Sequence, residues 1–297
     1  MELGGQLVQY IITGIGVGAI YATTALGFVI IFQGTRLVNF AQGDFVMVGG
    51  MSMIMFVARG IPILPAFLLA TVMGVLVGSL VYKLVVQPAV EIGGLRMFML
   101  MIGAGVCIRG FAQACWGPDS QLFPSFSGEK PIPILGAMLH PQVLWILGIT
   151  LLMFIAFYFF FEYTIQGKAL RACSMSRSAA RLLGIRVTTM VLLSFVLAAG
   201  SGAVAGLLIT PITSMNYSAG MMFTLKGYIA AIVGGMKSFK GAVIGGLALG
   251  ILESLAAGLL ASAYKDAVAF LLLMLFIVYM SVTGRIGVVY GVTTEQE

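Results

Sequence analysis

Glu253 lies inside an apolar run, in Gly250-Ile-Leu-Glu-Ser-Leu, with no charged residue nearer than Lys240 and Lys265. A carboxylate in such surroundings must find a partner or take up a proton. Two readings are open. Glu253 lines a polar path or bonds a neighbouring helix, or it lies close enough to a segment end to reach water. Helix–helix bonding is the expectation, and Lys226 is a partner that sequence alone cannot establish. Arg109 raises the same question one or two turns from the end of its run, and snorkelling to water is the simpler reading. Asn39, Gln42 and Asp44 cluster around Phe40 between two apolar segments. They suit the caps of a helix break, with contact to a transported solute as the other reading. Polar groups in a membrane span are functional candidates because each is costly to hold there.

Catalysis is not the chemistry these residues suggest. The single histidine, His140, lies in a proline-rich connection, and no nucleophile–base pair is evident. Cys107, Cys115 and Cys173 lack metal-ligand spacing and read as small apolar residues of packed helices, so no metal site is expected. No G-x-x-x-x-G-K-[ST] phosphate loop occurs, since Gly167-Lys168 is followed by Ala169. The chain is therefore expected not to be an enzyme and to carry no cofactor.

The elements that hold these residues are set by composition. The chain is 60% hydrophobic and only 9% charged, against about 25% charged in soluble domains. The runs 61–82, 143–161, 187–225 and 267–284 contain no Asp, Glu, Lys or Arg. About 20 apolar residues cross a bilayer as a helix. Apolar segments fall at about 6–33, 44–58, 61–82, 96–115, 143–161, 187–209, 222–236, 241–260 and 265–283. The second and seventh are short enough to be half-helices or re-entrant, which gives eight or nine segments in one membrane domain over 1–297. This is an all-α polytopic membrane protein. The 39 glycines, spread through long runs, suit close helix packing and argue against the short alternating strands of a barrel. The clusters Gly14/Gly16/Gly18, Gly234-Gly235 and Gly241/Gly245/Gly246/Gly250 read first as packing surfaces, with unwound backbone beside a path as the other use. Met1–Leu7 lacks a basic signal-peptide region, so the first helix is expected to be retained.

Charge orients the segments. With the N-terminus outside, eleven Lys and Arg fall in cytoplasmic connections, Arg285 among them, and three outside. The net charge of +6 is thus a positive-inside signature that needs no nucleic-acid partner, and the C-terminus is expected inside. Two connections are long. Residues 116–141 carry Pro118, Pro124, Pro131, Pro133 and Pro141 with Asp119, Glu129 and His140, and read as an ordered external, periplasmic loop. Residues 162–187, EYTIQGKALRACSMSRSAARLLGIRV, favour short helices with a basic side, stopped by Gly184. A connection alone needs only a handful of residues. Composition leaves this loop divided between docking into a groove on another protein and lying on anionic headgroups.

GKALRACSMSRSAARLLGI resembles the cytoplasmic loop of the branched-chain amino acid ABC importer permeases, the LivH-type family. GIGVGAIYATTALGFVIIFQG with VNFAQGDFVMVGG resembles that family's N-terminal signature, and KGYIAAIVGGMKSFKGAVIGGLALGILESL with YKDAVAFLLLML its C-terminal one. The resemblance runs from about Gly14 to Gly284. It implies an ABC importer permease fold in the bacterial inner membrane. The implied partners are a second homologous permease subunit, two cytoplasmic ATPase subunits that bind ATP and Mg, and a periplasmic substrate-binding protein. Gly167, Arg171, Arg177, Arg181, Leu183 and Gly184 fall on the loop that would seat on the ATPases. The family pattern N-F-A-H-G departs here at Gln42, which removes a titratable group from that position. Branched-chain or other hydrophobic amino acids are the first implied substrate, and urea, short amides or aromatic carboxylates the alternative. A stand-alone channel or secondary transporter is the competing class, although the paired Asn-Pro-Ala half-helices of water channels are absent and such a protein needs no docking loop.

Overall fold

The structure is a computed structural model that describes residues 3–89, 94–128, 130–134 and 136–282. Arg285, Gly284 and the C-terminus, assigned above to the cytoplasmic side or to the resemblance, lie outside these residues, as does Glu129. All nine apolar segments are helices. They are α1 (Leu3–Thr35), α2 (Gln42–Ala58), α3 (Ile63–Val81, continued by a π turn over Tyr82–Val86), α4 (Gly94–Trp116) and α5 (Pro141–Tyr163). Two short helices, α6 (Ile165–Met175) and α7 (Arg177–Leu182), precede α8 (Val187–Ile209). The chain continues through α9 (Ala219–Gly234), α10 (Phe239–Leu259) and α11 (Lys265–Val282). Seven of these helices are long and apolar enough to cross a membrane, while α2 and α9 are shorter apolar helices.

Burial sorts the helices into a centre and a rim. The apolar 18-residue stretch of α1 is 89% buried and that of α8 67%, against 17% for α4 and α5 and 6% for α11. α2 is buried continuously from Gln42 to Ile54. The two short helices thus lie in the middle, flanked by α1, α8 and α10, while α3, α4, α5 and α11 present Leu, Ile, Phe and Met outward. A chain with so little polar material can expose such a rim only to lipid.

Small residues allow the centre to close. α1 and α10 cross where Gly14 and Gly18 face Gly246 and Gly250. A Cβ on Gly18 would stand 2.9 Å from the carbonyl oxygen of Gly246 and 2.9 Å from the Cα of Leu247. This is the small-residue contact of membrane helices, in which backbones touch without intervening side chains.

The connections collect on two faces. On the basic face, Gln33 Nε2 donates to Lys237 O at 2.8 Å, Arg36 Nε to Ser174 O at 2.8 Å, and Tyr82 Oη to Thr188 O at 2.8 Å. On the opposite face, the loop expected to be ordered pairs β1 (Ile132–Ile134) with β2 (Ala137–Leu139) as an antiparallel hairpin. Gln9 bonds the Met138 backbone there, and Gln121 pairs with Met215. The stretch 116–141 is therefore ordered by a hairpin and by backbone pairing to the 210–218 connection.

Candidate functional site

The chain returns into the bundle between α1 and α2 without helical hydrogen bonds. Irregular backbone at membrane depth is tolerated only where protein satisfies it. Side chains do that here. Asn39 Oδ1 accepts from Ala41 N at 3.0 Å, Thr224 Oγ1 donates to Phe40 O at 3.2 Å, and Gly43 N donates to Thr224 Oγ1 at 3.0 Å. Gln42 Nε2 donates to Ala198 O at 2.9 Å, halfway along α8. α2 consequently begins inside the bundle and not at its surface.

Asp44 is 1% exposed in the first turn of α2 and packs against Gly220 in the first turn of α9. Two helix N-termini, each a partial positive charge, converge on this carboxylate. Arg109 of α4 adds a Coulombic contact, Nε to Oδ1 at 3.5 Å, while its hydrogen bond goes to Gly105 O. The expectation that Arg109 reaches out to water is corrected. It is one-fifth exposed and turns inward, because an uncompensated Asp44 at that depth draws it.

The second polar centre joins α1, α9, α10 and α11. Lys226 Nζ lies 2.6 Å from Glu253 Oε1 and 2.8 Å from Asp266 Oδ1, and donates to Tyr21 Oη at 3.1 Å. Lys226 and Glu253 are buried, and Asp266 is 38% exposed. The nitrogen also lies over the Tyr21 ring, 5.4 Å from its centroid. Glu253 Oε2 is buried without a hydrogen-bond partner. A cavity of about 400 Å³ opens above this group, toward the hairpin face, where Ser214, Ser218 and Lys265 are exposed. Sequence reasoning named Glu253 and Lys226 but missed Asp266, which reads as an ordinary acid in the first turn of α11. Tyr21 and Thr224 left no signal, because a hydroxyl in an apolar run is unremarkable until its neighbours are known.

The third feature is the loop on the basic face. α5 runs on through Glu162 and Tyr163, so the loop proper starts at Thr164, whose hydroxyl accepts from Gly167 N and caps α6. Ser176 caps α7 in the same way. α7 ends in a Schellman turn. Gly184, at φ +80°, donates to Arg181 O at 3.0 Å, and Ile185 N donates to Ala180 O at 3.0 Å. Burial lifts the Cys173 thiol above its usual range, with the nearby Arg177 guanidinium opposing.

The six loop residues separate by contact. Gly167 packs on the Phe160–Phe161 backbone and leaves no room for a side chain. Arg171 bonds Glu162 Oε2 at 3.1 Å and also the Phe161 carbonyl, and Arg177 donates to Thr35 O at 3.2 Å. These three tie the loop to α5 and α1. Arg181, Leu183 and Gly184 are exposed. Leu182, which sequence reading did not single out as a contact, is 90% exposed.

A family model described as "Branched-chain amino acid transport system / permease component" matches residues 10–278. The high-affinity branched-chain amino acid transport system permease protein LivH of Escherichia coli is 30% identical over 295 residues, covering 94% of this chain and 95% of the relative. BraD, the corresponding permease protein of Pseudomonas aeruginosa, is 29% identical over 304 residues at the same coverage. Among solved structures, PsaBC from Streptococcus pneumoniae in complex with Fab matches with a TM-score of 0.49 and 14% identity, over 94% of this chain and 95% of that one. This chain is a multi-pass membrane protein and belongs to the family of branched-chain amino acid transport permease components.

Proposed function

We propose that this chain is one of two membrane subunits of an ATP-driven importer for branched-chain or related hydrophobic amino acids. A second, homologous permease completes the path. Two ATPase subunits, which carry ATP and Mg, dock on α6–α7, and a substrate-binding protein delivers at the hairpin face. The basic face is cytoplasmic in this reading, with the N-terminus outside and the C-terminus inside the plasma membrane of a bacterium. ATP hydrolysis opens and closes the path by moving α6–α7, and no covalent step occurs in this chain.

One observation carries the proposal. Ile165, Met175, Leu182 and Leu183 are 86%, 80%, 90% and 79% exposed, beside exposed Arg181, on helices that the chain caps and anchors individually. Apolar side chains held outward on a rigid, basic stub suit a groove on a partner protein.

The test is reconstitution of the chain in liposomes with its second permease, ATPases and binding protein. Leucine uptake should require ATP and all of these subunits. Leu182→Asp with Leu183→Asp should leave the membrane fold intact by gel filtration and abolish uptake by releasing the ATPases. Uptake by this chain alone, without ATPase or ATP, overturns the proposal in favour of a channel or secondary transporter.

A further inference from the structure

The basic end of α5 carries a run of aromatic rings. Phe154 and Tyr158 lie 6.2 Å apart between centroids, Tyr158 and Phe159 meet edge to face at 6.1 Å, and Phe159 and Tyr163 stack at 5.3 Å. Phe159 and Tyr163 are exposed on the rim of the bundle. Rings in such a place settle at the level of the lipid headgroups. α10 begins beside them. The Phe161 and Phe239 rings meet at 4.8 Å and close the seam between the two helices. One residue on, Lys240 Nζ lies over the Tyr158 ring, 5.3 Å from its centroid. Tyr158 is more than one turn inside the end of α5. The lysine is thus laid along the seam, where a lysine at a helix end ordinarily reaches out to water.

The ring contact leaves the ammonium charged and its three N–H donors open to a stronger acceptor. Among the described residues Lys240 makes no ion pair. Glu162, the only described acid on the basic face, is held by Arg171 at 3.1 Å. Lys237, exposed just before α10, adds a second cation to the same helix end. From Lys240 an exposed strip of α10 runs away from the basic face at four-residue intervals, through Ile244, Ala248 and Leu252. A cation at headgroup level with an apolar strip leading from it into the membrane complements an anionic head joined to a hydrocarbon tail.

We propose that the α5–α10 seam binds one anionic phospholipid, its phosphate on Lys240 and an acyl chain along Ile244 and Ala248. A choline headgroup would bring its own cation toward Lys240 and is disfavoured. Gly167 of α6 packs on the Phe160–Phe161 backbone at this seam, so the lipid stands next to the loop of the basic face. The site goes beyond the importer reading and does not depend on it.

Fluorescence quenching tests this on the full-length chain in phosphatidylcholine vesicles. Phe159→Trp, with Trp116→Phe and Trp145→Phe, places a single reporter at the seam. Ile155→Trp, one turn further in, serves should that chain not fold. Brominated phosphatidylglycerol should be preferred over brominated phosphatidylcholine by about fivefold at the reporter, the weight of one lysine at a membrane surface. Lys240→Gln should erase the preference. Lys83→Gln, which removes another exposed lysine of the basic face, should leave it in place. The native Trp116 and Trp145, toward the hairpin face, should show none. Equal quenching by the two lipids at the seam, or the same preference at the native tryptophans, overturns the site. Equal loss from Lys83→Gln and Lys240→Gln also overturns it, since the summed charge of the face would then be what attracts the lipid. Displacement of the brominated phosphatidylglycerol by millimolar inorganic phosphate at constant ionic strength would mark a site for free anions and overturn the lipid assignment.

Discussion

Lys226→Met is the sharpest perturbation of the central ion group. Lys226 Nζ serves Glu253 Oε1 at 2.6 Å, Asp266 Oδ1 at 2.8 Å and Tyr21 Oη at 3.1 Å. Its removal leaves Glu253, 7% exposed, with neither oxygen paired to a cation. Breaking a buried pair in this way costs about 3–5 kcal/mol, since the remaining charge is stranded. Glu253→Gln alone should cost less, about 1–3 kcal/mol, because Lys226 keeps Asp266 and Tyr21. The double variant should be more stable than Lys226→Met by itself. Its buried carboxylate has become a neutral amide, and Asp266 reaches water at 38% exposure. The coupling between the two sites should therefore be about 2 kcal/mol, well above the scatter of independent sites. The assay is reversible unfolding of the purified chain in mixed micelles, followed by the fluorescence of Trp116 and Trp145 across the four proteins of the cycle. Additivity within about 0.5 kcal/mol would refute the argument, since it would mean that the two groups do not sense each other.

Two further outcomes follow from the packing. Gly18→Val should prevent α1 from seating on α10 and reduce the yield of folded protein in detergent, because the new side chain meets the backbone at Gly246 and Leu247; Gly103→Ala, where a Cβ meets nothing within 4 Å, should leave the yield unchanged. Arg36→Ala combined with Arg177→Ala removes two ties between the end of α1 and the α6–α7 segment, at Ser174 O and Thr35 O. On the proposed reading it should leave ATPase binding intact while lowering the amino acid carried per ATP hydrolysed, and an unchanged ratio in reconstituted liposomes would count against α1 as the connection.

The positions of the helices were legible because a charge-free run of span length has few other fates in a chain this apolar. All nine segments are helical, and even the shortness of α2 and α9 was visible. Their depth was not. It depends on Gln42 meeting Ala198 O and Gly43 meeting Thr224, residues more than 150 positions away that no local pattern marks. The cap at Gly184 was legible for the opposite reason, since a left-handed turn after a short helix is a local demand that glycine meets. Charges divided in the same manner. Glu253 announced itself by isolation, but its second neighbour Asp266 sat at a helix start, where an acid needs no explanation. Arg109 was misread because sequence shows the distance to a segment end and not the stranded carboxylate across the helix interface. Arg171, which the resemblance sets on the docking loop, bonds Glu162 and the Phe161 carbonyl at the end of the preceding helix, and of these composition had placed Glu162 in the loop.

These contacts give α1 a particular place in the molecule. It is one unbroken helix of 33 residues. At its basic end Arg177 grips Thr35 O, and Arg36, just past the helix at φ 59°, grips Ser174 O. At mid-length Tyr21 accepts from Lys226 and lines the cavity, and about one and two turns earlier Gly18 and Gly14 lock it onto α10. Tyr21 and Thr35 are separated by about 21 Å along a helix that rises about 1.5 Å per residue. Among the helices around it, α5, α8 and α10 are unbroken as α1 is, whereas others are interrupted or short. α2 and α9 begin inside the bundle, and α3 passes into a π turn at Tyr82. A helix that bends costs its own hydrogen bonds, whereas one that tilts rigidly shifts everything fixed to it. On the proposed reading, movement of α6–α7 against the membrane reaches the ion group through a tilt of α1, because α1 carries both Tyr21 at that group and the Thr35 and Arg36 ties to the loop. The wall most exposed to that tilt is the one formed by Val17, Ile20 and Tyr21.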